Sequence, residues 1–306
     1  MEDRMNVAAF LHIAVAMILA PFLLGVINRT KAIFAGRTGQ PLLQVYYDLL
    51  KLLRKGAVYS RTTTWVFRAG PIVGLAALLT ALLLVPFGAQ RAPLAFEGDV
   101  ILFAGLFAVL RFFTVIAALD TGSAFEGMGA SREVQFSALA EPALLLGLAA
   151  LAPLTGSFSL SGMLAGITAH TWLRTGPALA LVVAVLLVVF LTENARIPVD
   201  DPNTHLELTM IHEVMVLDHS GPDLAFILYG SALKLWTLGV LLVGILLPVQ
   251  TGPWLDVVLR LAGMIVLAVV TGIIESTMAR LRLTHVPQFL AGAGVLSVLA
   301  LLLALR

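Results

Sequence analysis

Residues 178–191 read ALALVVAVLLVVFL, and residues 192–219 continue as TENARIPVDDPNTHLELTMIHEVMVLDH. The first stretch carries no charged side chain. A helix needs about 20 mostly apolar residues to cross a hydrocarbon layer about 30 Å thick, so 177–193 is a candidate membrane span. The second stretch holds six acids, three histidines and one arginine, which is a third of the 18 acids in the chain. A membrane helix that runs into so many titratable groups indicates charge chemistry at the membrane boundary.

The overall composition also favours a bilayer environment. The chain has 306 residues, of which 59% are hydrophobic and 12% charged, whereas soluble domains carry about 25% charged residues. The net charge of +1 gives no bulk attraction to nucleic acid. The chain has no cysteine, which excludes disulfides and iron–sulfur clusters held by its own thiolates.

Apolar runs predict an all-α integral membrane protein with about eight transmembrane helices. The first run follows acids and leads into a basic segment, which is typical of a retained span rather than a cleaved signal peptide. No internal repeat is evident, so we expect one polytopic membrane domain over residues 1–306. The predicted spans are 8–27, 70–88, 99–119, 134–154, 177–193, 224–247, 255–275 and 286–305.

The distribution of basic residues orients this bundle. Twelve Lys and Arg residues fall in the connections 28–69, 120–133, 194–223 and 276–285, against five on the opposite side. By the positive-inside rule, these long loops are cytoplasmic and both termini lie outside. Segment 155–176 is the longest outer connection, and we expect it to hold a short interfacial helix with Trp172 at the boundary.

Several ionisable residues fall within or near the predicted spans, where charge is costly and is usually functional. Arg111, Glu141 and Lys234 have apolar neighbours in the sequence. Glu275 and Asp120 lie close to span ends, where reaching toward the interface is an alternative. Burial raises the pKa of a carboxyl and lowers that of a lysine, which suits both to proton transfer near neutral pH.

The acid-rich stretch does not match the zinc-binding motif that it partly resembles. The sequence HEVMV, starting at His212, has Val216 where the zinc motif H-E-x-x-H requires histidine. If 204–217 is helical, His205, His212 and Glu213 share one face. We favour a polar face against a partner or an aqueous cavity over a metal site.

The sequence resembles a known family at GRTGQPLLQVYYDLLKLLRK, residues 36–55. This stretch is similar to the first cytoplasmic loop of the membrane subunit shared by respiratory complex I, as its subunit 1, and the membrane-bound nickel–iron hydrogenases. ENARIPVDDP and ARLRLTHVPQFL resemble that family's third and last cytoplasmic loops. His205, Glu207, His212 and Glu213 stand where complex I has a glutamate-rich run, so the chain resembles most the formate hydrogenlyase and hydrogenase-4 branch.

The resemblance implies roles for individual residues. A hydrated path for coupling and proton transfer would include the span residue Lys234 and five acids: Glu133, Glu141, Glu193, Glu207 and Glu213. Asp200 and Asp201 would hold the third loop, with Arg196 as their counter-charge. Solvation of a loop is the alternative role for all of these. The residues expected to dock partners or to fix loops are Arg37, Gln44, Asp48, Lys51, Arg196, Asp200, Asp201, Arg280 and Arg282.

The resemblance also implies partners. The chain would bind no cofactor or metal itself, and nickel–iron and iron–sulfur centres are expected in a hydrogenase large and a small subunit. Antiporter-like membrane subunits and the bilayer of a bacterial or archaeal cytoplasmic membrane complete the expected surroundings. It would be a non-catalytic subunit of an oxidoreductase complex that couples redox chemistry to ion translocation. Two alternatives stay open: a quinone chamber of a complex I-like pump, and a separate secondary transporter, whose usual internal repeat is not evident.

Overall fold

The computed structural model describes the backbone of residues 2–88, 90–200, 210–248 and 252–306, and the side chains of those residues except 2–11, 253 and 254. All regular elements in these ranges are helices, joined by one single-turn 3-10 helix at Glu213–Val216. The helices are α1 Glu2–Phe34, α2 Gln44–Leu53, α3 Trp65–Leu84, α4 Asp99–Asp120, α5 Ala124–Ala149, α6 Leu151–Thr155, α7 Leu160–Gly166, α8 Ala169–Glu193, α9 Gly221–Leu246, α10 Pro253–Thr277 and α11 Val286–Ala304.

Eight segments are long and apolar enough to cross a membrane, which confirms the predicted all-α membrane bundle. The predicted spans overlap the observed ones in order, although several helices extend beyond the predicted ends. The helix α1, for example, continues to Phe34 rather than ending at residue 27. The added residues 28–34 include Arg29 and Lys31. Basic residues of this kind are common where a membrane helix leaves the hydrocarbon layer on the cytoplasmic side.

The fourth span differs most from the prediction. Its helix begins at Ala124 rather than near residue 134, so the predicted connection 120–133 shrinks to residues 121–123. The polar residues that suggested a loop bind a neighbouring segment instead. Arg132 Nη1 donates to the Met210 carbonyl at 2.7 Å, and Glu126 Oε1 accepts from the Asp218 amide at 3.0 Å. These tertiary contacts stabilise a helix at residues 124–133, although the glycines and polar residues of this stretch favour a loop.

The helices α3 and α4 pack closely because α3 presents glycines to α4. A Cβ on Gly70 would lie 2.9 Å from Ala117 Cβ, and one on Gly74 would lie 2.8 Å from Leu110 Cδ1. Small residues four apart allow this approach in membrane helices. At the same pair, Asp120 Oδ2 accepts from the Thr64 amide at 2.6 Å. Asp120 therefore caps the start of α3 instead of extending into solvent.

The connections 35–64, 194–220 and 278–285 meet at one end of the bundle. The Val58 amide donates to Ser220 Oγ at 3.0 Å, and the Leu281 amide donates to the Pro198 carbonyl at 2.8 Å. At the other end, the predicted short helix is α7, whereas Trp172 belongs to α8 and its Nε1 donates to the Ile245 carbonyl at 2.9 Å. The helix hypothesis for 204–217 fails over its described part, where only Glu213–Val216 is helical.

Two glycines of α5 test how tightly the 210–218 segment packs on that helix. A Cβ on Gly129 would lie 2.3 Å from Val214 Cγ1 and 3.0 Å from the Ile211 carbonyl oxygen, whereas nothing lies within 4 Å of one on Gly127. We expect Gly129→Ala to lower the unfolding temperature, because overpacking costs about 1–3 kcal/mol. Gly127→Ala is the matched control and should be neutral or stabilising by up to about 1 kcal/mol. Thermal unfolding of the detergent-solubilised protein measures both, and equal melting temperatures would contradict this packing.

Candidate functional site: a buried chain of ion pairs

Arg111 is the centre of the buried charges in the bundle. It lies on α4 between apolar neighbours and is 8% exposed. Its Nε donates to Glu133 Oε1 at 2.9 Å, and its other two nitrogens donate to Glu141 and Glu193. Glu133 and Glu141 lie on α5, and Glu193 is the last residue of α8. One guanidinium with its planar fork of donors thus serves three carboxylates from two other helices.

The ion pairs continue in both directions from Arg111. Toward α9, Lys234 Nζ lies 3.6 Å from Glu193 Oε2. Toward the connections, His212 Nε2 lies 3.2 Å from Glu133 Oε2, and His212 Nδ1 lies 3.3 Å from Asp200 Oδ2. Arg280 Nη2 lies 2.9 Å from Asp200 Oδ1. We refer to Lys234, Glu193, Arg111, Glu133, His212, Asp200 and Arg280, with Glu141 as a branch, as the ion-pair chain.

The protonation state of His212 decides the charge balance of the ion-pair chain. Its carboxylates are those of Glu133, Glu141, Glu193 and Asp200, and three of its cations are Lys234, Arg111 and Arg280. A protonated His212 supplies the fourth cation, so that these eight described residues then carry equal numbers of positive and negative charges. An unbalanced buried charge costs several kcal/mol. The uptake or loss of a proton by His212 therefore changes the free energy of the other buried charges in the ion-pair chain.

The surroundings of His212 favour its charged form. Burial opposes the imidazolium, but the carboxylates of Glu133 and Asp200 outweigh burial and the repulsion from Lys234, so the pKa of His212 is raised above 6.5. For Asp200, burial would raise the pKa, but hydrogen bonds from His212 and the charge of Arg280 outweigh it and lower the pKa. Both shifts favour the paired, charged state.

A second buried group of charges lies beside the first. Glu275 of α10 has a fully buried carboxylate, with Lys31 Nζ at 2.8 Å from Oε2 and Arg196 Nη1 at 3.1 Å from Oε1. Glu275 is therefore paired inside the protein and does not extend to the interface. Arg196 was predicted to be the counter-charge of Asp200 and Asp201. For Asp200 this is wrong, because Arg196 pairs with Glu275 and Asp200 pairs with Arg280, whereas Asp201 lies outside the described residues.

A cavity of about 370 Å³ connects the ion-pair chain with the end of the bundle where the long connections meet. Its apolar walls come from α3, α4 and α9, and include Leu78, Phe107 and Phe226. Asp48 on α2 lines the cavity, and so does Arg111. The volume exceeds by far what one water molecule requires, so the cavity can hold either several waters or an apolar molecule with a polar end.

Apart from Arg196, which pairs with Glu275, the predicted site residues fall into three groups. Glu133, Glu141, Glu193, Lys234, Asp200 and Arg280 come together in the ion-pair chain, while Glu213 lies beside His212 and lines the cavity. Arg37, Asp48, Lys51 and Arg282 are exposed near the meeting connections, and half-buried Gln44 donates to Asp48 Oδ1 at 2.9 Å. Asp201, His205 and Glu207 lie outside the described residues.

Two members of the ion-pair chain were not among the predicted site residues. Arg111 carried a usable signal, because an arginine in the middle of an apolar span requires a partner. His212 was noted only as part of a polar face, and its ion pairs could not be predicted because its two carboxylate partners are 79 and 12 positions away in the sequence. Only the tertiary structure brings those carboxylates to opposite sides of one ring.

Comparisons with known proteins show which family the whole chain is similar to. The family described as NADH dehydrogenase matches residues 7–305. Formate hydrogenlyase subunit 4 of Escherichia coli (strain K12) is 34% identical over 286 residues, covering 90% of this chain and 91% of that protein. Hydrogenase-4 component C of the same organism is 30% identical over 290 residues, covering 92% and 90%.

A solved structure has the same fold. It comes from the membrane-bound sulfane sulfur reductase, an archaeal respiratory membrane complex. The two chains superpose with a TM-score of 0.83 at 20% identity, over 98% of this chain and 99% of the other. The similarity supports the eight-span bundle over the whole length of the protein.

Removal of the Arg111 charge tests the balance of the ion-pair chain. We expect Arg111→Met to destabilise the protein by about 3–5 kcal/mol, because it leaves buried carboxylates without their common cation. Arg111→Met combined with Glu141→Gln should be more stable than Arg111→Met alone, since among the described residues Glu141 forms an ion pair only with Arg111. Thermal unfolding measures both. Destabilisation of the double variant by the sum of the two single effects would contradict charge balance.

Proposed function

This chain belongs to the NADH dehydrogenase family, and from that premise we propose that it is the membrane anchor and coupling subunit of a group 4 type nickel–iron hydrogenase complex, similar to formate hydrogenlyase. In this role it seats a peripheral arm on one end of the bundle and links the redox reaction of the arm to ion translocation. The two bacterial relatives with hydrogenase names support the assignment to this branch.

The ion-pair chain is the observation that carries the proposal. It runs from Lys234 on a spanning helix, through Arg111, to Arg280 in the last connection. Buried charges cost free energy, and replacing them with apolar side chains often stabilises a protein. A structural role alone does not explain a chain of this length, whereas ion movement within the membrane requires titratable groups at this depth.

The end of the bundle with the long connections suits a docked peripheral arm. Arg37, Lys51 and Arg282 are exposed there, and each can pair with a carboxylate of another subunit. We propose that this end faces the cytoplasm of a bacterial or archaeal cell and that both termini lie outside, which the excess of Lys and Arg in its connections supports. Movement of the arm would act on the ion-pair chain through Asp200, which the Ile211 and His212 amides and Arg280 all contact.

A second surface fits a neighbouring membrane subunit. The carboxylate-bearing side chain of Glu141 is 39% exposed, and it lies on a stripe of α5 with the exposed residues Val134, Ala138 and Leu145. A charge that faced lipid at this depth would cost at least about 2.5 kcal/mol. An antiporter-like subunit that covers this stripe would remove that cost and receive the branch of the ion-pair chain.

The metal centres of such a complex belong to the partner subunits. The chain has no cysteine, and both iron–sulfur clusters and the nickel–iron site use thiolate ligands. We therefore assign these centres to a large and a small peripheral subunit. The residues of this chain hold and move charge, and electrons do not pass through it.

Neutralisation of single acids tests the coupling role. In membrane vesicles that contain the assembled complex, Glu141→Gln and Glu213→Gln should leave dihydrogen turnover largely intact. The number of ions translocated per dihydrogen should fall by at least about tenfold, because a single proton-transfer group contributes a factor of about 10²–10⁴. Glu97→Gln is the control, because Glu97 is exposed at the opposite end of the bundle. Its Oε2 accepts a hydrogen bond from the Phe158 amide at 3.1 Å.

The measurement can contradict the proposal in a direct way. Normal coupling in both variants, with the complex assembled, would exclude these acids from the ion path. A loss of coupling in Glu97→Gln of equal size would show that the effect is unspecific.

The cavity favours a second candidate function, a quinone chamber in a complex I-like oxidoreductase. Its apolar walls lead to Arg111 and His212, which could bind a quinone headgroup. In that case, turnover in membranes should depend on added quinone and be blocked by quinone-site inhibitors. If the complex produces dihydrogen and these inhibitors do not slow the reaction, the quinone function is excluded and the hydrogenase complex is favoured.

A further inference from the structure

We propose that His212 is a proton-transfer residue that joins the 194–220 connection to the carboxylates within the membrane, and that Asp200 positions its ring. This inference rests on the proposed coupling function and names the residue at which a proton enters the ion-pair chain. His212 lies outside the spanning helices, immediately before the single-turn 3-10 helix Glu213–Val216.

Both nitrogens of the His212 ring face carboxylates that belong to different parts of the protein. Nε2 lies 3.2 Å from Glu133 Oε2 on the spanning segment α5, and Nδ1 lies 3.3 Å from Asp200 Oδ2 in the connection after α8. A histidine that has an acceptor at each nitrogen can give up a proton on one side while the other side stays hydrogen-bonded.

Asp200 is held in place from several directions. Its Oδ2 accepts from the Ile211 amide at 3.2 Å and from the His212 amide at 3.1 Å, and its Oδ1 lies 2.9 Å from Arg280 Nη2. The Asp200 carboxylate therefore stays ionised and accepts the hydrogen bond from Nδ1–H. This bond fixes the tautomer of the neutral ring, so that Nε2 is the nitrogen that exchanges its proton.

The transfer step is a simple proton exchange. The imidazolium donates its Nε2 proton to Glu133 Oε2, which gives a neutral His212 with hydrogen on Nδ1 and a neutral Glu133. His212 lines the cavity, so a water there can return a proton to Nε2. The protonated Glu133 no longer balances Arg111, which holds it at 2.9 Å, and the excess positive charge favours proton release from another member of the chain.

The charges around His212 set the pH at which it can act. Glu133 on α5 and Asp200 favour its proton, whereas Lys234 on α9 opposes it. Arg280 pairs with Asp200, and Arg111 pairs with Glu133. Glu213 follows His212 in the sequence. The net effect raises the pKa of His212 above 6.5. Coupling should therefore be complete at pH values below the raised pKa and decline as the pH rises through it.

The first test compares two histidines of the same connection in vesicles that hold the intact complex. His212→Gln should lower the protons translocated per dihydrogen by at least about tenfold, with dihydrogen turnover retained. His219→Gln should leave this ratio unchanged, because the buried ring of His219 stacks on Phe67 with centroids 3.9 Å apart and lies outside the ion-pair chain. Equal ratios in His212→Gln and the wild type would overturn the proposal.

A second test separates proton transfer from a structural role. His212→Ala leaves space that an added imidazole can fill. Imidazole should restore coupling, whereas pyrazole, a ring of the same size that takes up a proton far less readily, should not. The series of substituted imidazoles should restore coupling in proportion to their basicity, as Brønsted behaviour requires. Equal rescue by imidazole and pyrazole would assign His212 a structural role and overturn the inference.

The outcomes distinguish this inference from the proposed function. If Glu141→Gln uncouples the complex and His212→Gln does not, the coupling function stands and the role of His212 is wrong. If the wild-type complex translocates no protons while it turns over dihydrogen, both are wrong.

Discussion

One buried guanidinium constrains the rest of this protein. Arg111 on α4 must lie where carboxylates from α5 and α8 reach it, because an unpaired arginine in a span costs several kcal/mol. This requirement fixes how three spanning helices are arranged around the cavity. Once Glu133 and Glu193 are held by Arg111, their second oxygens face His212 and Lys234. The same contacts that hold the helices together therefore form a connected set of titratable groups.

The connections at one end depend on the same network. Asp200 binds Arg280 and His212, so two chain segments far apart in sequence are attached to α5 through Glu133. The close contact between Gly129 and Val214 brings the 210–218 segment onto that helix. A displacement of this segment, for instance by a docked subunit, changes the pairing of Glu133. In the proposed coupling role, such a displacement would carry a redox event of the docked arm to the buried charges.

Much of the fold follows from the sequence, because apolar length alone determines how many helices cross the bilayer. The eight spans, and the positions of Glu133, Glu141, Glu193 and Lys234 in or near them, required no tertiary information. Pairing could not be predicted in the same way. Glu275 pairs with Arg196 and Lys31. The first turns of α5 contact the 210–218 segment through Arg132 and Glu126. Such choices arise from three-dimensional proximity, which local composition does not encode.

The subunit composition of the native complex shows whether this chain serves a hydrogenase arm in the proposed coupling role. The protein would be tagged at its C-terminus and extracted in mild detergent, and the subunits that co-purify would be identified by mass spectrometry. We expect a large subunit with nickel-binding cysteine pairs, a small iron–sulfur subunit and antiporter-like membrane subunits. Purification as a single chain, or with a large subunit that lacks those cysteines, would contradict it.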